Sequence, residues 1–235
     1  MKHKIKKVEI LYYPQFTSFQ KAYMRFQRVF SFICALMGII VLSPLFLILC
    51  IWIVADSGFP VLFVQKRVAK SAPDGTYRYF SIYKFRTMYT DTPKDMPTHM
   101  LENPDTFITK AGHFLRKTSL DELPQLFNVL KGDMNLIGPR PALYNQEDLM
   151  KERDKYGANF VRPGITGLAQ VMGRDELPID VKARYDGIYT QHLGPVVDLF
   201  SLIRTIAVVL TRDGVVEGGT GAMETERNAQ KRDIT

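Results

Sequence analysis

Residues 29–55 read VFSFICALMGIIVLSPLFLILCIWIVA and contain no charged residue, histidine, asparagine or glutamine. An uninterrupted apolar run longer than about 18 residues is typical of a membrane segment. The run is too long for the apolar region of a signal peptide, and no cleavage pattern of small residues follows it. We therefore predict that this segment enters a membrane and that the rest of the chain is organised around it.

Ser43 and Pro44 interrupt the apolar run near its middle. Pro44 has no N–H to donate to the carbonyl of Ile40, and the hydroxyl of Ser43 can bond back to the preceding turn. One interpretation is a single kinked span, because proline is tolerated in membrane helices. Cations on both sides of the run favour a re-entrant hairpin whose two ends lie on the cytoplasmic face. We predict this hairpin, with Ser43 and Pro44 as its membrane hinge.

The positive charge of the chain is concentrated before the apolar run. The 235 residues have a formal net charge of +7, and residues 1–28 contain seven lysines and arginines against one glutamate. Tyrosines and phenylalanines interleave with these cations, which is typical of an interfacial segment that binds anionic membrane lipids. A nucleic-acid partner is disfavoured because the membrane segment follows immediately. The only two cysteines lie inside the apolar run, which excludes a disulfide framework and favours a reducing cytoplasmic side.

The chain after the apolar run is predicted to form a helix-rich α/β domain of the α+β type over residues 56–212, with a disordered tail over 213–235. Strands are expected at 60–64 and 77–83, a turn at 72–75, a loop at 90–106, helices at 142–156 and 178–192, a loop at 162–167 and a short strand at 168–171. The pattern at 196–210 predicts an amphipathic helix, on the core or on the membrane surface. Ser119-Leu120-Asp121-Glu122 resembles a capping box, which predicts a helix that ends at Gly132.

Side chains suited to phosphate chemistry are concentrated between residues 84 and 167. The usual phosphate-loop, dinucleotide, serine-hydrolase and zinc motifs do not occur in the sequence, and the four histidines are scattered. The candidate phosphate ligands are cations at turns and strand ends, namely Arg116, Arg140, Lys84, Arg86 and Arg162. Arginine binds phosphate through its planar fork, and neighbouring prolines restrict the backbone around two of these arginines.

The adjacent carboxylates of Asp121 and Glu122 are the candidate catalytic pair. Mg²⁺ binds one or two protein carboxylates together with substrate phosphates, so Asp121 is also a candidate metal ligand. The alternative is that both acids merely stabilise a helix N-terminus and that each arginine is an ordinary surface residue. The combination of the acid pair with several cation-bearing turns favours a phosphoryl-transfer site.

These motifs resemble the bacterial sugar transferase family, the monotopic phosphoglycosyl transferases. The similar stretches are KFRTM at 84–88, RKTSLDELPQLFNV at 116–129, KGDM at 131–134, LIGPRP at 136–141 and RPGITG at 162–167, continuing to Arg174. The resemblance covers roughly residues 25–212 in the order of the family, and Ser43-Pro44 matches the family's re-entrant hairpin. Long forms of the family carry a further polytopic N-terminal module, and this chain resembles the minimal catalytic form.

The resemblance implies transfer of a sugar-1-phosphate from a UDP-sugar to undecaprenyl phosphate, with release of UMP. It implies a covalent phosphosugar on Asp121, Mg²⁺ as cofactor, a supporting role for Glu122 and for the pair Tyr185-Asp186, and a catalytic domain facing the cytoplasm at the inner membrane. Such a step begins polysaccharide or glycoconjugate assembly. The resemblance leaves open the sugar, an oligomer and contacts with downstream glycosyltransferases. Two other functions stay open, a non-catalytic membrane-bound scaffold and a lipid-linked phosphatase.

Overall fold

The computed structural model describes residues 13–92, 104–173 and 177–211. Several predictions therefore lie outside the described residues: the disordered tail at 213–235, the first part of the interfacial segment, most of the loop at 90–106, and Arg174.

The apolar run lies within a single long helix, α1, which extends over Ser18–Ser57 and includes Pro44. Thr17 begins the helix with a capping box, in which its side chain accepts from the N–H of Gln20 and the side chain of Gln20 accepts from the N–H of Thr17. The hydroxyl of Ser43 donates to the carbonyl of Ile40 at 2.8 Å. This is the carbonyl that Pro44 leaves without an N–H, so the serine compensates for the proline.

The rest of the chain forms two small sheets surrounded by short helices, as expected for a helix-rich α+β fold. Strands β1 (Leu62–Val68) and β2 (Tyr79–Phe85) are antiparallel, and strands β3 (Asn135–Ile137) and β4 (Gly164–Thr166) are parallel. The helices are α2 (Lys110–Thr118), α3 (Gln125–Lys131), α4 (Glu147–Asp154), α5 (Leu168–Gly173), α6 (Ile179–Gln191) and α7 (Pro195–Thr211), with 3₁₀ turns at Pro104–Phe107, Leu120–Glu122 and Ala158–Phe160.

Several sequence predictions are confirmed with shifted boundaries. The first two strands and the helices α4, α6 and α7 occur where the patterns indicated them. The turn between β1 and β2 closes through a hydrogen bond from the N–H of Gly75 to the carbonyl of Ala72 at 2.9 Å. Gly132, with φ of 95°, ends α3 as expected for a glycine in the left-handed region.

The short strand predicted at 168–171 is wrong. These residues belong to α5, and the N–H of Val171 donates to the carbonyl of Gly167. The strand lies instead at β4, within the stretch predicted to be a loop, where it pairs with β3. A stretch of four residues, three of them apolar, does not distinguish a strand from a buried helical turn, because it is too short to show either periodicity.

The capping box predicted at Ser119 is also wrong. Ser119 ends α2, where its N–H donates to the carbonyl of Arg116, and it adopts a left-handed backbone with φ of 56°. Its side chain makes no capping hydrogen bond, and Leu120–Glu122 forms a separate 3₁₀ turn. Helix α3 begins only after Pro124, so Asp121 and Glu122 lie on the connection between two helices.

Helices α1 and α7 each bury some polar residues and expose many large apolar ones. The buried residues of α1 include Gln27 and Ser31, whereas Val41 is 72% exposed. In α7, Asp198 is buried and Val196 is 81% exposed. Helices that pack on a soluble core expose their polar side. The exposed apolar surfaces of α1 and α7 are therefore expected to contact an apolar environment. Among the described residues, α1 is the one helix that is long and apolar enough to cross a membrane.

A buried polar network joins the N-terminal part of α1 to α7. The carboxylate of Asp198 accepts from the hydroxyl of Tyr23 at 2.7 Å and from the side-chain amide of Gln27 at 2.6 Å. Tyr189 of α6 donates to the other oxygen of Asp198 at 2.9 Å. Buried polar groups are stable only when they are hydrogen-bonded, so this network fixes the position of α7 relative to the N-terminal part of α1.

Segments of α1 on both sides of Pro44 contact the same small domain. Before the proline, Arg28 donates to the carbonyl of Leu130 at 3.0 Å, at the end of α3. After it, the ring of Phe46 lies 5.9 Å from that of Phe127 in α3, and Asp56 accepts from the first turn of α2. Both ends of the apolar segment are therefore attached to one body.

The contact of α2 with the end of β2 requires glycine at position 112. A Cβ atom built on Gly112 would lie 2.1 Å from the carbonyl oxygen of Thr87. Backbone on both sides leaves no flexible group that can move away.

We predict that Gly112→Ala displaces α2 and lowers the free energy of unfolding by about 1–3 kcal/mol, the usual effect of overpacking a core. Thermal unfolding of the purified protein in detergent measures this loss. Lys117→Ala, at an exposed position of the same helix, is the control and should leave the midpoint temperature of unfolding unchanged. An unchanged midpoint for Gly112→Ala would contradict the close packing.

Candidate active site

The hairpin of β1 and β2 brings Lys84 next to the acid pair. Alternate residues of a strand point to the same side, so Lys84 continues the row of the buried residues Phe80 and Ile82. That row packs towards α3, and the 3₁₀ turn that carries Asp121 and Glu122 lies just before α3. Lys84 is thus positioned by a rigid strand and the acids by a short turn.

The two acids and two of the predicted cations form one cluster of ion pairs. The ammonium of Lys84 lies 2.8 Å from Oε1 of Glu122 and 3.6 Å from Oδ2 of Asp121. The guanidinium of Arg140 lies 2.7 Å from the same Oε1 of Glu122. The side chains of Asp121 and Glu122 are only 13% and 18% exposed, so these charges interact with little screening by water.

Arg116 completes the cluster from the last turn of α2. Its Nε donates to the hydroxyl of Thr87 at 2.9 Å, and its charge acts on the carboxylate of Asp121. Thr87 directly follows Arg86 after the end of β2, in the stretch KFRTM noted in the sequence. The structure therefore brings together three of the five predicted cations around the acid pair.

The two adjacent carboxylates have pKa values that are shifted in opposite directions. Burial, strengthened by the neighbouring charge of Glu122, raises the pKa of Asp121 even though Lys84, Arg116 and Arg140 act against it. Burial also acts to raise the pKa of Glu122, but Arg140 and Lys84 outweigh it and hold that pKa well below its ordinary value. Glu122 is the ion-paired acid, and Asp121 is the acid with incompletely neutralised charge.

Arg86 and Arg162 are not part of this cluster. Arg86 is buried at the C-terminal end of α1, where its guanidinium donates to the carbonyls of Ser57 at 2.8 Å and Gly58 at 2.6 Å. This contact satisfies carbonyls that a helix end leaves free. Arg162 lies beside β4, where Arg28 and Asp133 act on its charge. Ser43 and Pro44, which were predicted to be the membrane hinge, lie within α1.

Arg140 is presented by a turn that packs closely on β4. The N–H of Gly138 donates to the carbonyl of Thr166 at 2.8 Å, and the N–H of Gly164 donates to the carbonyl of Pro139 at 3.0 Å. A Cβ built on Gly138 would lie 2.5 Å from the carbonyl oxygen of Arg162. The stretches LIGPRP and RPGITG are thus two surfaces of one contact, and their glycines allow the close approach.

Three residues near the site were missed from the sequence as contributors to it. Arg67 and Arg153 both donate to the turn that carries Arg140, and Thr87 holds Arg116. Arg153 belongs to a helix rich in charged residues, and nothing in its spacing separates it from its exposed neighbours. Asp186 binds Arg153 at 2.6 Å. The pair Tyr185-Asp186, noted through the family resemblance, was the one sequence signal that pointed to this contact.

Magnesium binding at Asp121 stays a prediction, in which substrate oxygens complete the set of ligands. No group of three or more histidine, cysteine, aspartate or glutamate side chains able to hold a metal occurs within the described ranges. Mg²⁺ commonly takes one or two carboxylates and several phosphate or water oxygens, which Asp121 beside a bound diphosphate can provide. Burial and Glu122 raise the pKa of Asp121, so a further cation nearby would stabilise its ionised form.

Comparison with known proteins identifies the class to which this fold and site belong. The profile of the family described as bacterial sugar transferase matches residues 22–212. Because the match extends over most of the chain, the protein belongs to the bacterial sugar transferase family.

Two relatives illustrate the similarity. The chain is 36% identical over 203 residues to the undecaprenyl-phosphate galactose phosphotransferase of Salmonella typhimurium, covering 80% of this chain and 41% of that protein. It is 35% identical over 212 residues to the uncharacterized sugar transferase EpsL of Bacillus subtilis, covering 90% of this chain and 100% of that protein. The chain therefore spans about two fifths of the Salmonella relative and the full length of the Bacillus one.

We predict opposite effects of neutralising the two acids on thermal stability. Asp121→Asn removes a charge that burial and Glu122 disfavour in the folded state, so the midpoint should rise. Glu122→Gln deprives Lys84 and Arg140 of their shared partner, so the midpoint should fall. For a chain of this size, shifts of about 2 to 4 °C correspond to roughly 1 kcal/mol.

The measurement is thermal unfolding in detergent with a chelator present, so that bound divalent ions do not contribute. Asp91→Asn, at an exposed position in the turn after β2, is the matched control and should leave the midpoint temperature unchanged. Shifts of the same sign for Asp121→Asn and Glu122→Gln would contradict the assignment of the two carboxylates.

Proposed function

We propose that the protein transfers a sugar-1-phosphate from a UDP-sugar to undecaprenyl phosphate, giving undecaprenyl-diphospho-sugar and UMP. The observation that carries this proposal is the buried acid pair surrounded by Lys84, Arg116 and Arg140 in a member of the bacterial sugar transferase family. Relatives named as galactose and glucose phosphotransferases acting on undecaprenyl phosphate support this class of substrates.

In the first step, a carboxylate oxygen of Asp121 attacks the phosphorus that bears the sugar, and the bond from that phosphorus to the UMP oxygen breaks. UMP leaves with the electron pair, and the sugar phosphate stays bonded to Asp121. Asp121 suits this role better than Glu122 because one oxygen of Glu122 is engaged by both Lys84 and Arg140. The pKa of Asp121, raised by burial, belongs to the more basic and hence more nucleophilic carboxylate.

In the second step, a phosphate oxygen of undecaprenyl phosphate attacks the same phosphorus, and the bond to Asp121 breaks. The carboxylate is thereby restored, and the lipid carries the diphospho-sugar. Arg116, Arg140 and Lys84 offset the negative charge that gathers when an anion attacks a phosphate. Asp121 and the substrate phosphates would hold Mg²⁺, which supplies further neutralisation of the diphosphate.

We also propose a monotopic arrangement, in which α1 enters the cytoplasmic leaflet, bends at Ser43-Pro44 and returns. A straight helix of 40 residues would be about 60 Å long, far more than the bilayer core. The attachment of Arg28 and Asp56 to the same domain supports a return to the same face. The exposed apolar face of α7 supports an interfacial position for that helix.

We predict that Asp121→Asn abolishes UMP release. The assay supplies purified protein, Mg²⁺, undecaprenyl phosphate and a panel of UDP-sugars, and a loss of at least roughly 10³-fold is expected for a missing nucleophile. Asp148→Asn is the control that keeps an aspartate-to-asparagine change away from the site. Wild-type turnover by Asp121→Asn would contradict the nucleophile assignment.

The same assay separates the alternative functions. Without acceptor lipid, the transferase should release at most one UMP per protein and become labelled by a donor whose sugar-bearing phosphate is radioactive. A phosphatase would release free sugar phosphate continuously, and a scaffold would release no UMP from any donor.

The topology is tested by labelling single cysteines in a background that lacks Cys34 and Cys50. We expect Lys21→Cys and Lys66→Cys, both at exposed positions, to react with an impermeant maleimide from the same side of sealed vesicles. Labelling from opposite sides would show a span in place of the hairpin.

A further inference from the structure

We infer that Arg67, Arg153 and Asp186 are positioning residues that hold the main chain of Arg140 so that its guanidinium reaches Glu122. The inference rests on the proposed function, in which Arg140 offsets charge on the substrate phosphates. None of the three was predicted as a ligand of substrate, and none needs to touch it.

Four consecutive carbonyl oxygens, those of residues 139–142, each accept a hydrogen bond from a different partner. The first accepts from the N–H of Gly164 at 3.0 Å, and the last accepts from the N–H of Val68 at 2.9 Å. Between them, the carbonyl of Arg140 accepts from Arg153 at 2.9 Å and that of Pro141 accepts from Arg67 at 3.1 Å. The two inner bonds, at the carbonyl of Arg140 itself and at that of the next residue, come from side chains.

The prolines leave the turn with few backbone donors of its own. Pro139 and Pro141 have no N–H, and the N–H of Gly138 is already directed to β4. The outer bonds tie the ends of the turn to β4 and β1, which are parts of the general fold. The peptide that follows Arg140 is therefore held by the guanidinium of Arg153, and the next peptide by the guanidinium of Arg67.

Asp186 allows Arg153 to be buried at this position. The side chains of Arg153 and Asp186 are only 4% and 1% exposed, and one carboxylate oxygen accepts from two guanidinium nitrogens at 2.6 and 2.8 Å. A buried cation is strongly unfavourable without its partner. Asp186, from α6, thus acts on Arg140 through Arg153, which gives the pair Tyr185-Asp186 a physical role.

Arg67 links the two cations that meet at Glu122. In the β1–β2 register, Arg67 pairs with Phe80 and Phe63 pairs with Lys84, so Arg67 and Lys84 belong to the same face of the hairpin. One side of this hairpin supplies Lys84 directly, and it holds the turn of Arg140 through Arg67. The distance between Lys84 and Arg140 is therefore set by one rigid element, the β1–β2 hairpin.

The test is a double-mutant cycle on kcat/KM for UMP release with undecaprenyl phosphate present. Arg140→Met alone should lower kcat/KM by roughly 10²-fold, the usual effect of losing one charge-stabilising donor. Replacing the buried pair together, as Arg153→Met with Asp186→Leu, avoids an unpaired buried charge and keeps the apolar volume. This double variant should lose roughly tenfold or more, because small displacements of a catalytic group reduce the rate strongly.

Combined with Arg140→Met, the paired replacement should cause no further loss, because it acts through Arg140. Losses that multiply would overturn the inference, since a general structural defect lowers the rate whether or not Arg140 is present. Wild-type kcat/KM in the paired replacement would overturn it as well. Arg67→Met gives an independent second cycle with the same expectation, and it serves alone if the paired replacement does not fold.

The control is the exposed ion pair of the same helix, Glu147 and Lys151, changed together to glutamine; its kcat/KM should equal that of the wild type. Failure of the proposed function has a different signature. If wild-type protein releases no UMP, or if Arg140→Met is fully active, the role of Arg140 in catalysis is wrong. If Arg140→Met is impaired, and both the paired replacement and Arg67→Met are fully active, only the positioning role is wrong.

Discussion

A single carboxylate oxygen, Oε1 of Glu122, receives Lys84 at 2.8 Å and Arg140 at 2.7 Å. These cations come from distant parts of the chain, one from an antiparallel hairpin and the other from a proline-rich turn after β3. Two cations at this spacing in a poorly hydrated site would repel each other without an acid between them. The arrangement of both substructures therefore depends on this oxygen, and the 3₁₀ turn that carries it also determines where Asp121 lies.

The difference between two neighbouring carboxylates follows from that contact. Glu122 is neutralised by Lys84 and Arg140, and its pKa is held low by them against the effect of burial. Asp121 shares the burial but lies 3.6 Å from its nearest cation partner, and its pKa is raised by burial and by Glu122. The charge of Glu122 is thus neutralised by two cations, and that of Asp121 is neutralised less completely. Chemically identical functional groups one residue apart acquire different roles from their surroundings.

Much of this could be predicted from local patterns, and the errors have identifiable physical causes. The apolar run and the acid pair were recognisable because their signals lie within a few consecutive residues. Arg86 was a candidate phosphate ligand, as Arg140 was, but only tertiary contacts show that Arg86 binds the end of α1. Ser119 matched a capping box, yet the end of α2 imposes a left-handed backbone on it. Which cations converge depends on contacts between distant segments, and no short pattern encodes those contacts.

Helix α3 connects the chemistry to the apolar segment. It begins three residues after Glu122, and its Phe127 lies against Phe46, two residues beyond Pro44. In the proposed topology, this packing gives the acid pair a constant height above the bilayer core. A lipid-borne phosphate then reaches the acid pair by diffusion in the two dimensions of the membrane. The nucleotide sugar, in contrast, diffuses to it through the three-dimensional volume of the cytoplasm. The edge-to-face contact of two phenylalanines would in this way reduce one of the two encounters from three dimensions to two.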